Sequence, residues 1–136
     1  LAPTARNEQP WEFVVVSDAN LKKQISELAP NGQFIKDAPA LIVIFCKDTK
    51  YYLEDGCAAT ENILLAAHAL GLGSCWVAGD KKPYCDTVKK LLHLPGEYKL
   101  VSMISLGYAV SEGELHRKRK LEEVLHWEDF KKGGTR

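Results

Sequence analysis

The stretch from Glu61 to Gly79, ENILLAAHALGLGSCWVAG, ends in backbone that another molecule could approach closely. Gly73 and Ser74 allow the chain to pass near a neighbour, and the next residues predict a short strand ending at Ala78 and Gly79. Small side chains there leave backbone N–H groups accessible, so this strand end is interpreted as a cofactor-binding site. A capped core helix that leads into a core strand would explain the same pattern without a ligand.

A basic cluster from Arg117 to Lys120 is the second group that could do chemistry. On residue types alone, a solvated charged patch is the commoner fate of such clusters. The apolar residues that follow are too many for a free tail, which predicts docking on another surface, such as a second subunit. They are Leu121, Val124, Leu125, Trp127 and Phe130.

Reactive side chains give weaker signals. His68 lies in an apolar run and is interpreted as a hydrogen-bonded core histidine rather than a catalyst. The cysteines form no C-x-x-C pair and are predicted to be reduced core thiols, and no histidine stands at ligand spacing from them, so no metal site is expected. They are Cys46, Cys57, Cys75 and Cys85.

Composition excludes several classes of protein. The chain has 136 residues, enough for one domain with a real core, and 18 basic side chains balance 18 acidic ones. A neutral chain gives no overall field that favours nucleic acid. No apolar run is long enough to span a bilayer and no signal peptide is apparent, so a cytoplasmic protein without a membrane partner is expected.

Apolar periodicity predicts the elements that position these residues. Strands are predicted at Trp11 to Val16, at ALIVIF from Ala40, at Cys75 to Val77 and at Tyr98 to Leu106. Helices are predicted from a cap at Ser17 or Asp18 to about Leu28, from the Tyr51 and Tyr52 pair to a Gly71 cap, and after Pro83. The run from Ile63 to Leu70 predicts a helix that is buried on nearly every side. Alternating strands and helices predict a sheet covered on both faces, of the α/β or α+β class.

Three segments together resemble the FMN-dependent nitroreductase family. They are APTARNEQPWEFVVVSD, ENILLAAHALGLGSCWVAG, and MISLGY followed by RKRKLEEVLHW. The resemblance spans nearly the whole chain and implies a single domain over residues 1–136. It implies an α+β fold with a mixed, mainly antiparallel sheet between helices in three layers. It also implies a homodimer with two FMN molecules at the subunit interface.

The resemblance assigns cofactor contacts to particular residues. Pro3, Thr4, Ala5, Asn7 and Gln9 match the loop that approaches FMN from the partner subunit. Trp76, Val77, Ala78 and Gly79 match the strand end beneath the flavin ring, Arg117 and Arg119 match phosphate ligands, and Asn31 matches a polar contact to the ring. Without the resemblance, NEQPW would be a turn in which Asn7 satisfies its own backbone and Trp11 lies in the core.

The chemistry implied is that of an FMN-dependent oxidoreductase. Hydride passes from NADH or NADPH, through flavin N5, to an electron-poor acceptor such as a nitroaromatic or a quinone, so no catalytic side chain is needed. The amides of Ala78 and Gly79 are expected to face N5. Trp76 or Tyr84 is expected either to edge the open ring face or to belong to the core.

The family's pattern begins with a helix and an arginine-rich turn that hold the FMN phosphate, and this sequence starts after that point. The expectation is a fragment, a member with fewer flavin contacts, or a member without flavin. The alternative function is therefore a non-catalytic flavin-binding or dimerisation domain that lacks the full FMN clamp.

Overall fold

The computed structural model describes residues 2–111 and 116–130. Strands β1 to β4 span Trp11–Val16, Ala40–Lys47, Gly73–Ala78 and Tyr98–Gly107, and helices α1 to α3 span Ala19–Leu28, Tyr52–Ala69 and Cys85–Leu91. Short 3-10 turns lie at Ala5–Asn7, Gln33–Asp37 and Leu121–Glu123. The predicted strands and helices are therefore all present, with β3 beginning two residues earlier than expected.

The described strands form one sheet in the order β1-β2-β4-β3. Each neighbouring pair is antiparallel, with Val14 opposite Val43 and Val77 opposite Met103. The register between β2 and β4 shifts once, between Ile44 and Phe45. The α+β prediction with a mainly antiparallel sheet is confirmed, and β3 is an edge strand.

The sheet separates two apolar cores. On one face, Ile25 of α1 and Val88 of α3 pack with sheet residues such as Phe45. On the other face, Ile44 and Ile104 of the sheet meet α2, which brings side chains that include Leu53, Ile63 and Leu64. Helices therefore cover both faces of the sheet, in the predicted three layers.

Local signals fixed the helix ends as expected. The Asp18 carboxylate accepts a hydrogen bond from the Leu21 amide at 2.7 Å, which caps α1. At the end of α2, Gly71 adopts a φ of 74°, and the Leu72 and Gly71 amides donate to the carbonyls of Ala67 and His68. These are the two hydrogen bonds of a Schellman ending.

The second half of α2 is not buried on nearly every side, so that prediction was wrong. Leu70 is 76% exposed, Leu65 is also exposed, and His68 lies at the surface rather than in the core. The helix packs one face on the sheet, while α1 and α3 lie on the opposite side of that sheet. No described element therefore covers its outer face.

One cysteine also departs from expectation. All of them are free thiols, and Cys46 is buried as predicted, but Cys75 is exposed because it lies on the edge strand β3. Cys57 and Cys85 are half-buried. Among residues 2–111 and 116–130, no helix combines the length and the apolarity that a membrane span requires.

Candidate functional site

The end of β3 presents one backbone donor outward. The amides of Gly79 and Asp80 both donate to the carbonyl of Val101, at 3.0 and 3.2 Å, which makes a β-bulge. Because alternate residues of an antiparallel strand direct their N–H groups to opposite sides, the Ala78 N–H faces away from β4. No strand in the described chain pairs with that edge.

The Gly79 amide does not match its predicted role. Its hydrogen bond to Val101 occupies the donor that was expected to face a cofactor. Close packing explains why glycine occupies this position, since a Cβ here would lie 2.7 Å from Leu100 Cγ and 2.8 Å from the Val101 carbonyl oxygen. Gly79 therefore lets β3 bend closely over β4, and Ala78 is the residue that offers an amide at the edge.

The side chains of the strand end divide between the two faces. Val77 is buried in the core with α1 and α3, so only its backbone is available to a ligand. Trp76 points to the opposite face, as alternation requires, and remains 38% exposed. Tyr84 is buried, so the structure supports the core alternative for this residue.

Three side chains of other elements donate hydrogen bonds to the strand end. The Tyr84 hydroxyl donates to the Ala78 carbonyl, and the Cys85 thiol donates to the Gly79 carbonyl. The Tyr52 hydroxyl donates to Asp80 Oδ1 at 2.7 Å. Sequence reasoning predicted none of these hydrogen bonds, because hydrogen bonds between distant elements leave no periodic signal.

These donors stay protonated at neutral pH. The hydrogen bond to Asp80, followed by burial, raises the pKa of Tyr52 to about 12. Burial is also the main cause that raises the pKa of the Tyr84 hydroxyl and of the Cys85 thiol above their ordinary values. All three groups can therefore donate throughout the physiological pH range.

The N-terminal loop is anchored on α2. Asp55, which is only 4% exposed, accepts from the Thr4 hydroxyl at 2.8 Å and from the Ala5 amide at 2.9 Å. Thr4 Oγ1 accepts in turn from the Gln9 amide at 3.0 Å. Sequence reasoning missed Asp55, although a carboxylate among the small and apolar residues of α2 was a visible signal.

Within this loop, the backbone is held in an uncommon conformation. Arg6, Asn7 and Gln9 have positive φ values of 55°, 58° and 48°, respectively. The Gln9 side-chain amide donates to Asn7 Oδ1 at 2.8 Å. Asn7 therefore bonds a side chain rather than its own backbone. Non-glycine residues at positive φ persist where their surroundings hold them, and they are frequent at ligand sites.

Asn31 lies near β3. It is exposed in the turn after α1, and its neighbour Gly32 is buried so closely that an added Cβ would lie 3.3 Å from Val77 Cγ1. The structure therefore brings the Asn31 turn beside the strand that ends at Ala78.

The two arginines lie elsewhere in the single chain. Arg117 and Arg119 are exposed and line a shallow depression of about 160 Å³ with Lys118, Lys120 and Glu123. No described contact joins them to β3 or to the N-terminal loop. The apolar residues after them stay exposed as well, and Trp127 is 80% exposed.

A larger depression, of about 330 Å³, contains none of the predicted site residues. It lies at the start of β3, the end opposite Ala78, and its lining includes Phe34, Cys75 and Tyr108. Among the described residues, no group of three or more His, Cys, Asp or Glu side chains could hold a metal ion.

Known proteins are similar to this chain in sequence and in structure. A relative named "Putative NADH dehydrogenase/NAD(P)H nitroreductase", from Archaeoglobus fulgidus, is 40% identical over 124 residues, which are 85% of this chain and 71% of the relative. A relative of the same name from Methanothermobacter thermautotrophicus is 36% identical over 78% of this chain, but the match spans only 59% of that relative. An iodotyrosine deiodinase from Thermotoga neapolitana is 29% identical over 79% of this chain and 70% of its own length.

An FMN-dependent nitroreductase from Clostridium difficile superposes with a TM-score of 0.87 and 31% identity, over 96% of this chain and 82% of that one. The sequence profile of the nitroreductase family matches residues 29–108, which include β2, α2, β3 and β4. Since this match takes in more than half of the chain and most of the sheet, the chain belongs to the nitroreductase family.

Proposed function

We propose that the chain is an FMN-dependent oxidoreductase that takes a hydride from NADH or NADPH and delivers it to an electron-poor acceptor, such as a nitroaromatic or a quinone. Family membership supports the reaction type, and the names of similar proteins support FMN and a nicotinamide donor. The observation that carries the proposal is the outward N–H of Ala78, at the strand end where the resemblance puts the flavin ring.

The residues at the end of β3 fit a flavin ring. Such a ring has an apolar body and a polar edge, and here a small side chain and the half-exposed Trp76 adjoin an outward backbone donor. When bound, FMN supplies the reversible hydride chemistry that side chains lack. This chain would place the Ala78 N–H at the edge of the ring and leave one ring face open for a second molecule.

A second copy of the chain completes the site in this proposal. The loop from Pro3 to Gln9 is anchored on Asp55 yet largely exposed. The outer face of α2 exposes Leu65 and Leu70, and the segment after the basic cluster exposes Trp127 and Phe130. Large apolar surfaces of this kind mark interaction sites. In a homodimer, the loop of one subunit reaches the flavin of the other, and Arg117 and Arg119 bind the phosphate.

A nitroaromatic is the first acceptor to test. The two relatives with 40% and 36% identity carry the word nitroreductase in their names. The relatives named iodotyrosine deiodinase are 29% and 25% identical, so reductive removal of iodide from a tyrosine ring is the second candidate.

The test is a titration of the purified chain with FMN, followed by anaerobic addition of NADH or NADPH. We expect saturable FMN binding, loss of oxidised flavin absorbance with one of the two nicotinamides, and its return when a nitroaromatic is added. Binding without reduction by either nicotinamide would instead support a non-catalytic flavin-binding domain. No binding at all would refute the proposal.

The phosphate contacts have a matched control within the basic cluster. Arg119→Gln should weaken FMN binding about tenfold to a hundredfold, as expected for lost charge-assisted hydrogen bonds, and leave riboflavin binding unchanged. Lys118→Gln removes the same charge from the neighbouring side chain and should have a much smaller effect. Equal losses for both variants would show general charge attraction rather than a phosphate site.

A further inference from the structure

Three consecutive residues at the end of β3 each accept a hydrogen bond from a side chain of another element. Ala78 and Gly79 accept through their carbonyls from Tyr84 and Cys85, which open α3, and Asp80 accepts from Tyr52, the first residue of α2. We propose that Tyr52, Tyr84 and Cys85 are positioning residues that fix the Ala78 N–H toward the flavin edge. This inference rests on the proposed function.

The Tyr84 hydroxyl determines which hydrogen-bonding group of Ala78 stays available at the edge of β3. In an extended residue the N–H and the C=O point to the same side of the strand, so the Ala78 carbonyl also faces the edge of β3. The Tyr84 hydroxyl donates to that carbonyl and occupies it. Ala78 therefore offers the edge a free N–H beside an occupied carbonyl. Such an edge favours a ligand atom that accepts a hydrogen bond, as a flavin ring nitrogen does.

Cys85 and Tyr52 hold the chain just beyond Ala78. The Gly79 and Asp80 amides share the Val101 carbonyl, so β3 leaves the ladder at this bulge. A bulge leaves one residue unpaired and is free to shift unless other groups hold it. The thiol of Cys85 holds the Gly79 carbonyl, and the hydroxyl of Tyr52 holds the Asp80 carboxylate. The direction of the Ala78 peptide therefore depends on donors from two helices.

Packing alone does not account for the hydroxyl of Tyr84. The ring belongs to the core with Val77 and Val88, and phenylalanine would fill that space equally well. Tyr84→Phe therefore removes the hydrogen bond while it keeps the buried ring. Tyr52→Phe does the same at the other helix, and Cys85→Ala removes a thiol whose donor function Cys85→Ser retains.

The test compares these variants with Tyr51→Phe, which removes a neighbouring hydroxyl that does not contact the strand end. With FMN bound, we expect Tyr84→Phe to raise the dissociation constant about threefold to tenfold and to shift the midpoint potential of the flavin. Tyr52→Phe and Cys85→Ala should change both in the same direction, while Cys85→Ser and Tyr51→Phe stay near the wild type. Wild-type affinity and potential in Tyr84→Phe would overturn the proposal.

Amide hydrogen exchange in the FMN-free chain separates this inference from the proposed function. Because the Gly79 and Asp80 amides depend on the bulge, we expect them to exchange about threefold to tenfold faster in Tyr84→Phe than in Tyr51→Phe. If the wild-type chain binds no FMN, the proposed function fails, and the same exchange comparison, made for Tyr84→Phe, Tyr52→Phe and Cys85→Ala, alone decides whether the three donors fix the strand end. Unchanged exchange in all three variants would show that they do not.

Discussion

At the scale of single residues, the N-terminal loop depends on Asp55. Its buried carboxylate accepts from the Thr4 hydroxyl and from the Ala5 amide. In Asp55→Asn the amide oxygen can still accept from the Ala5 amide, but the NH₂ group can pair with Thr4 Oγ1 only if that hydroxyl accepts instead of donating, so neither charge-assisted hydrogen bond is retained. We expect the free energy of unfolding in urea to fall by about 1.5–3 kcal/mol, with weaker FMN binding.

Glu54→Gln is the control for this prediction. Glu54 lies beside Asp55 in the first turn of α2, but its side chain is exposed. The same loss of charge there should change the free energy of unfolding by less than about 0.5 kcal/mol. Equal effects of the two substitutions would show that the helix responds to charge and that the loop contacts contribute nothing.

The buried Cys46 and the half-buried Tyr52 make the stability of the chain fall at alkaline pH. Burial raises the pKa of Cys46 from 9.0 to about 12, and the hydrogen bond to Asp80 raises that of Tyr52 from 10.0 to about 12. At a pH between the ordinary and the raised pKa of each group, the unfolded chain has released a proton that the folded chain retains. The free energy of unfolding therefore falls as pH rises from about 9 to 12. The measurement is the free energy of unfolding at pH 8 and at pH 11. Tyr52→Phe should lose less stability over this interval than the wild type, and an equal loss would contradict the assignment.

Sequence reasoning assigned site roles to contiguous residues and predicted no hydrogen bond between distant elements. The small strand end at Ala78 was visible because its residues are contiguous. The hydrogen bonds of Asp55, Asp80 and Cys85 were not predicted, because each residue gains its partner only when separate elements pack together. The Gly79 amide was misassigned for the same reason, since Val101 becomes its acceptor only in the sheet.

At the scale of elements, the end of α2 depends on one glycine. Gly71 has a φ of 74°, and a Cβ added there would meet no atom within 4 Å, so only the backbone conformation opposes a side chain. Gly71→Ala should therefore destabilise the chain by about 1–2 kcal/mol, the cost of a left-handed alanine. Thermal unfolding measures this change.

Gly96→Ala is the matched control. Its added Cβ also meets no atom within 4 Å, but Gly96 does not have the positive φ of Gly71. We expect it to leave stability unchanged or to raise it slightly, because alanine restricts the unfolded chain. A loss equal to that of Gly71→Ala would mean that the Schellman ending does not stabilise α2.

The elements themselves were predictable from local patterns. The bounds of β1 agree to the residue, and the caps of α1 and α2 were visible in Asp18 and Gly71. Burial of the second half of α2 was not predictable, because apolar periodicity does not say what covers a face. In the described chain, the sheet covers one side of this helix and leaves Leu65 and Leu70 exposed.

At the scale of the whole molecule, the residues assigned to the candidate site fall into three groups. The first turn of α2 links two of them, because Tyr52 bonds Asp80 and Asp55 bonds Thr4. Ala78 and the Asn31 turn lie together at β3, and the N-terminal loop lies on α2. Arg117 and Arg119 form a third group with no described contact to either. The resemblance assigned these residues to one site. In the proposed homodimer a second subunit would bring the separate groups together, and no pattern within one chain predicts that arrangement.

The exposed segment from Leu121 to Phe130 tests that arrangement. Trp127 is 80% exposed and Phe130 is 78% exposed in the single chain. Two large aromatic side chains exposed so close together are typical of a surface that binds a partner. Truncation of an aromatic anchor at an interface costs about 2 kcal/mol or more, so Trp127→Ser should raise the dissociation constant of the homodimer at least about thirtyfold. Sedimentation velocity over a concentration series measures this, and FMN binding should weaken in parallel if, as proposed, each flavin contacts both subunits. Glu128→Gln changes the adjacent exposed side chain without loss of apolar area and should leave the dimer intact. A wild-type chain that binds FMN as a monomer, or a Trp127→Ser variant with unchanged association, would mean that this segment does not dock on a second copy.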